Sequence, residues 1–362
     1  MKKVLILCAH RPGRSPSQRY RFEQYLPFLQ SHGYEFKFSY LLNENDDRLF
    51  YSHGKFIAKA FILFKSLLIR FKDTRRFKHF DIIFIQREAT FFGSSYFEKK
   101  AFRSGAYVIF DFDDSIWLAD TSPGNQKWEW LKKPEKFFIN VASAHCVMAG
   151  NNYLAEKAKP YKANVHIVPT TINTSFHKPM ARPGNDQVVT IGWSGSISTV
   201  KHFELLVPVL LKIKTRYGHK IRFKLIGEKN YTHPQLPVEA VAWTEASEVE
   251  QLNTLDIGIM PLPNDAWANG KCGLKGLAYM ACGVATVMSE VGVNRNIIQH
   301  GTNGFLADND YEWYNLLCEL IEHPELRKEI GKNARQSVIE KYSVQAWKTT
   351  YLELFEHARK SQ

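Results

Sequence analysis

Two lysines one helical turn apart, Lys271 and Lys275, stand in the stretch 270–275, GKCGLK, with glycines at 270 and 273. An apolar run at 257–260 is short enough to be a buried strand. After a loop, Leu274, Leu277, Met280 and Ala281 recur at helical spacing, and Gly283 is placed to end that helix. Strand, glycine loop and helix in this order aim backbone N–H groups and a positive helix end at a phosphate. Cations flank the same point, so the chemistry expected there is recognition of a diphosphate. Residues 284–287 read as the next strand, and Asn294 as the cap of a short helix that Gly301 closes.

Other constellations share this logic. Gly192-Trp193-Ser194-Gly195-Ser196 follows an apolar run at 188–192. Its glycines let backbone approach a ligand and its hydroxyls can donate to phosphate oxygens; the plain alternative is a tight turn. Residues 109–117, IFDFDDSIW, put three carboxylates at the C-terminal end of an expected strand, where open parallel sheets bind ligands. Paired aspartates suit a divalent cation. The reading preferred is that Asp113 or Asp114 accepts a hydrogen bond from an attacking hydroxyl; the plain alternative is capping of the following helix, which Asp114 could do while Asp113 works. Residues 11–21, RPGRSPSQRYR, carry four arginines and Gly13 after the first strand. Arginine forks suit phosphate, which makes Arg19 and Arg21 candidates against a solvated basic face. The loop is not GxGxxG, which counts against a dinucleotide-dependent dehydrogenase. In Gln86-Arg87-Glu88, Arg87 either meets substrate or pairs internally with its neighbour. Residues 51–80 hold eight Lys/Arg against a single Asp73, with Phe56, Ala60, Phe64, Leu67 and Phe71 at helical spacing. Such a basic amphipathic helix can lie on an anionic leaflet; otherwise it packs its apolar face on a sheet.

The elements that must position these groups alternate along the chain. Runs at 4–8, 34–40, 81–86, 107–110, 145–149 and 165–168 read as strands, and 17–31 as a helix ending at Gly33. A second series has strands at 188–192, 222–226 and 238–243, and helices at 202–217 and after a Ser247/Glu250 capping box. The alternation implies two doubly wound, mostly parallel α/β units. The division expected is 1–176, a polar linker at 177–187, 188–342, and a last helix over 343–362 that packs back toward the first unit.

Composition bounds the partners. A chain of 362 residues exceeds one ordinary core, and a formal charge of +12 favours an anionic partner. Five scattered cysteines without a CxxC pair argue for a reducing compartment and against zinc. The opening MKKVLILCAH is too short an apolar run for a signal peptide and reads as a strand. No nucleic-acid-binding motif is found.

GIMPLP, GKCGLK, YMACGVATV, VGVN and NGF, in this order between 258 and 305, resemble the donor-site segment of the retaining glycosyltransferases of family 4. The QRE at 86–88 and the DxDD at 111–114 resemble one branch of it. The resemblance implies the GT-B fold, two Rossmann-like doubly wound domains facing a central cleft. It implies a hexosyltransferase that takes a nucleotide-diphosphate sugar as donor substrate, with no other cofactor and no metal. By it, Gly195, Ser196, Lys201, Gly227, Lys271, Gly273, Leu274 and Lys275 bind the donor. Asp113 and Asp114 are catalytic, and Gly13, Arg19, Arg21 and Arg87 form the acceptor side or a closing loop. Two glutamates that many members carry fall here on Gly270 and Ala278. Their loss motivates the alternative of a catalytically impaired GT-B protein serving as a binding or scaffold subunit. The acceptor expected is lipid-linked or a surface polysaccharide, on the cytoplasmic face, with residues 51–80 against an anionic membrane.

Overall fold

The computed structural model describes residues 1–52, 54–118, 133, 135–181 and 188–360. It divides into two compact units, Met1–Thr170 with Trp347–Gln362, and Thr171–Ala346.

The first unit is built on β1 (Lys2–His10), β2 (Tyr34–Leu42), β3 (Ile82–Gln86), β4 (Tyr107–Phe112), β5 (Cys146–Ala149) and β6 (Val165–Ile167). They form one sheet in the order β2-β1-β3-β4-β5-β6, every pairing parallel. β3, β4 and β5 are buried along their whole length, which is why their sequences are apolar runs without alternation. The last helix, Val344–Lys360, closes this unit: Tyr351 stacks on Tyr25 with ring centroids 3.9 Å apart, and Phe355 meets Tyr34 and Phe84.

The second unit holds β7 (Val189–Ser194), β8 (Ile221–Gly227), β9 (Val238–Ala242), β10 (Ile257–Met260), β11 (Ala285–Ser289) and β12 (Phe305–Ala307). Their order is β12-β11-β10-β7-β8-β9, again all parallel. Its core joins Ile191, Trp193, Phe203, Leu225, Ile259 and Val287 with Leu317 and Ile330 from the flanking helices.

Strand order reverses once in each sheet, beside β1 in the first and beside β7 in the second. Crevices at the carboxyl ends of such strands are where parallel sheets receive ligands. The expected site residues sit on the loops that leave these ends.

Local expectations fail where a side chain finds a better partner. The helix expected over 17–31 is broken into Pro16–Arg19, a 3₁₀ turn Glu23–Tyr25, and Leu26–Ser31. Pro27 has no N–H to give to Glu23 and forces a restart. The Ser247 capping box does not form, because the Ser247 hydroxyl lies 2.6 Å from the Thr244 hydroxyl. Asn294 is the first residue of the helix Asn294–Ile297 and not its cap; its amide donates to the Ser289 carbonyl at 2.9 Å. Residues 177–180 of the expected linker are tied to the second unit: Met180 N–H donates to Asn253 Oδ1 at 2.8 Å and Arg335 donates to the His177 carbonyl at 3.0 Å. Residues 182–187 of that linker lie outside the described residues.

Candidate functional site

In the second unit, β7 runs into Gly195 and Ser196, a 3₁₀ turn Ile197–Thr199, and the helix Val200–Tyr217. Gly195 N–H donates to the Ile226 carbonyl at 2.9 Å, which draws the end of β7 onto the end of β8. Gly227, at φ 141°, faces it so closely that a Cβ would fall 1.7 Å from the Gly195 carbonyl oxygen. Glycine is required here to let two loops touch. Ser196 is exposed, its hydroxyl 3.0 Å from that of Ser198.

The other wall comes from the loop after β10. Asp265 caps Ala266–Asn269, accepting from Ala268 N–H at 2.7 Å, and Gly273 at φ 70° opens the helix Leu274–Ala281. Lys271 Nζ lies 4.6 Å from the Trp267 ring centroid. Lys275, the second residue of that helix, places Nζ 4.8 Å from the ring centroid of fully buried Trp193 and 3.4 Å from Thr199 Oγ1. Burial, and then the neighbouring Lys271, pull the Lys275 ammonium down to about 7. His202 is buried beside this group; burial, then Lys275, Lys201 and Lys271, hold its imidazole down to about 4. The arrangement is a set of cations against aromatic faces at a helix N-terminus, with the Asp265 carboxylate nearby. It suits a diphosphate.

In the first unit, Asp113 follows β4 and accepts from Ser17 Oγ at 2.7 Å and from Arg87 Nε at 2.7 Å. Gln86 donates to Ser17 Oγ at 2.7 Å, completing a relay from the end of β3 through the helix Pro16–Arg19 to the residue after β4. Burial opposes ionisation of Asp113, but Arg87 and then Arg21 outweigh it and hold the carboxyl below its ordinary value. Such a carboxylate is a weak base and a good hydrogen-bond acceptor. Arg87 adopts φ 60°, a left-handed backbone rare outside glycine, and its N–H donates to the Asp111 carbonyl at 2.7 Å. It also lies 3.6 Å from Asp114, whose Oδ1 accepts from Ser115 N–H at 3.1 Å. No helix follows in 115–118, so Asp114 caps none among the described residues.

Residues 188–323 match the family model described as glycosyl transferases group 1. No sequence among curated proteins matches the chain. Among solved structures, the sucrose-phosphate synthase of Thermosynechococcus elongatus aligns with TM-score 0.72 at 13% identity, covering 100% of both chains. A glycosyltransferase from Rickettsia africae gives 0.68 at 14%, covering 100% of this chain and 99% of that one. Anabaena HepE in complex with UDP and glucose gives 0.64 at 13%, covering 99% and 100%. The fold is GT-B. Together the family match and these neighbours point to a glycosyltransferase.

Within its GT-B units, the chain brings Gly195, Gly227, Lys271, Gly273 and Lys275 to the carboxyl ends of β7, β8 and β10, with Leu274 half-buried at the start of its helix and Lys201 exposed beside His202. Arg87, Asp113 and Asp114 meet in the first unit. Arg21 does not belong with them as a phosphate fork. It is buried, paired bidentately with Asp111 and donating to the Val168 carbonyl. Asp111 likewise faces the core and not a ligand. Arg19 is half-buried, its guanidinium 5.1 Å from the Tyr20 ring centroid. Gly13 N–H donates to Glu23 Oε2 at 2.8 Å, which pins the loop expected to close.

Sequence reasoning missed His202, Thr199 and Ser17, since a histidine, a threonine and a serine inside apolar or loop stretches carry no spacing signal. It also missed a cleft of about 470 Å³ in the first unit, lined by Arg11, Arg14, Asp47, Arg48 and Tyr51. There burial is outweighed by His10 and Arg14, which bring the Asp47 carboxyl down to about 2. In 51–80, Lys59 and Arg70 are buried and Lys65 and Arg76 are paired with Asp46 and Asp73, so the expected run of free basic residues is shorter than it read.

Proposed function

We propose that the chain moves a hexose from a nucleotide-diphosphate sugar, bound by the second unit, to an acceptor hydroxyl oriented by Asp113 of the first, with retention of configuration as in family 4. One observation carries the reading: Lys275 is held desolvated against Trp193 at the start of a helix, with Lys271 beside it. A departing diphosphate is the charge this arrangement is built to receive, and fixed cations stabilise it without reorganising. Asp113, kept ionised by Arg87, aligns the attacking hydroxyl, with Asp114 supporting Arg87. No resident cofactor or metal enters this reading. The acceptor is lipid-linked or a surface polysaccharide at the cytoplasmic face, and residues 51–80 meet the membrane there.

A second reading, a donor-impaired scaffold subunit, draws on Gly270 and Ala278. The former ends a helical turn and the latter is buried, so neither offers a carboxylate to the donor. Calorimetric titration with UDP, GDP, ADP and dTDP, then with the matching nucleotide sugars, separates the two. Clear preference for one nucleotide, weakened at least about a hundredfold by Lys271→Ala with Lys275→Ala, is expected. Affinity unchanged in that variant removes the diphosphate assignment, and binding of none puts the scaffold first. Asp113→Asn is expected to keep nucleotide affinity while lowering turnover by about a hundredfold; full turnover would exclude Asp113.

A further inference from the structure

The cleft of about 470 Å³ in the first unit has no part in the transfer reading, yet it has the size of a small-molecule site. β1 and β2 end together beside it, His10 paired in register with Leu42. Buried Gln18 fixes the end of β1: its amide donates to the His10 carbonyl and accepts from the His10 N–H, each at 3.0 Å. After β2, Asn43 caps the helix Glu44–Phe50 reciprocally with Asp46, and Phe50 is buried with Leu41, Leu42, Ile62 and Leu63. One side of this short helix is thus held in the core. Its other side gives the cleft Asp47 and Arg48, with Tyr51 just past its end.

Charge is what the cleft offers. The Oδ2 of buried Asp47 accepts from Arg14 Nε and, at 3.4 Å, from Arg11 Nη1, while Oδ1 lies 3.5 Å from His10 Nδ1. That carboxylate is covered by cations and in turn sets the direction of two guanidinium forks. Arg14 is exposed and gives it only Nε, so both terminal nitrogens remain for a ligand. Arg48 is also exposed, and its one hydrogen bond among the described residues is to Asn45 Oδ1 at 3.3 Å. Glu44 stands 3.8 Å from Arg11, its side chain 84% exposed. Three guanidiniums therefore face two carboxylates, one of them masked. Tyr51 adds a hydroxyl, 3.2 Å from His10 Nε2.

A cluster that only fastened residues 11–14 to the helix would need Arg14 and Asp47, but neither Arg48 nor a cavity. We propose that the cleft receives a phosphate group borne by the acceptor, with Arg14 and Arg48 as its forks and Tyr51 beside them. The inference rests on the transfer reading, in which Asp113 aligns the attacking hydroxyl of that acceptor. Ser17, which donates to Asp113 at 2.7 Å, stands three residues beyond Arg14, so the backbone at the two points is at most about 11 Å apart. One loop can hold both ends of a phosphorylated sugar.

The test is hydrogen exchange of the full chain, read by mass spectrometry, with inorganic phosphate, glucose 6-phosphate, geranyl diphosphate and, as the uncharged control, glucose. Slower exchange in residues 11–14 and 44–52 is expected with the phosphates and not with glucose. The concentration giving half of this effect should rise at least about tenfold in Arg14→Gln with Arg48→Gln. Loss of Arg14 also bares Asp47, so Arg48→Glu is made alone. On an exposed side chain it should weaken the response as much and leave thermal unfolding unchanged. A stronger response to glucose 6-phosphate places the phosphate on a soluble sugar, and to geranyl diphosphate on a lipid. No response to any phosphate, protection confined to 195–199 and 271–275, equal protection by glucose, or an unchanged response in Arg48→Glu overturns the proposal. Nucleotide binding by the same preparations is scored separately by calorimetry. Its absence with protection at 11–14 intact strikes the transfer reading and leaves the phosphate site standing.

Discussion

Lys275 shows how much one side chain's surroundings change its chemistry. An ordinary lysine is charged up to about pH 10; this one, stacked on Trp193 beside Lys271, is brought down to about 7. The protonated form is the one that holds a diphosphate. Below pH 7 it is already present and affinity should be flat. Above pH 7 the free protein has lost the proton and binding must restore it, so affinity should fall by up to tenfold for each further pH unit, with proton uptake on binding. Titration with the selected nucleotide sugar between about pH 6 and 8.5, in buffers of different ionisation enthalpy, measures both quantities. A slope that persists in Lys275→Met would assign the effect to another group. That lysines flanked this loop was legible in the sequence. That one of them is desolvated was not, because Trp193 and Thr199 reach it only through the pairing of β7 with β10.

At the scale of elements, apolar runs foretold the strands well, since strands buried on both faces have no other composition available to them. Their ends were less legible. β4 extends past residue 110 to Phe112, and that extension carries Asp111 inside to meet Arg21. Burial pushes the Asp111 carboxyl above its ordinary range against the pull of Arg21, so the pair holds only as a pair. Arg21→Met should cost about 3–5 kcal/mol by leaving the carboxylate uncompensated, and adding Asp111→Leu should recover most of it. Urea unfolding reads both values, while nucleotide affinity in the second unit stays unchanged. A single variant as stable as the parent would deny the pair its structural role. Four arginines in 11–21 looked alike in sequence; contact with β4 and the residues after β6 separates Arg21 from the rest.

For the whole molecule, the last helix joins chain ends that are far apart in sequence. Tyr351 is fully buried, stacked on Tyr25, and its hydroxyl donates to the Arg21 carbonyl. Tyr351→Ala should therefore remove about 3–5 kcal/mol. Hydrogen exchange should report it as faster opening of β1 to β6 with β7 to β12 still protected; equal loss in both sheets would mean that the helix does not belong to the first unit. The sequence by itself determined two α/β halves, the positions of all the strands described except β12, the glycine loops and the cationic stretch at 271–275, because hydrophobic run length and local turn chemistry act over a few residues. Only the tertiary structure decided which charges are spent inside, as at Arg21, Arg70 and Asp111, and which remain for a ligand. It also turned the apolar side of Phe56–Thr74 outward. Burial is settled by what packs on an element from elsewhere in the chain, and a residue carries no local mark of that.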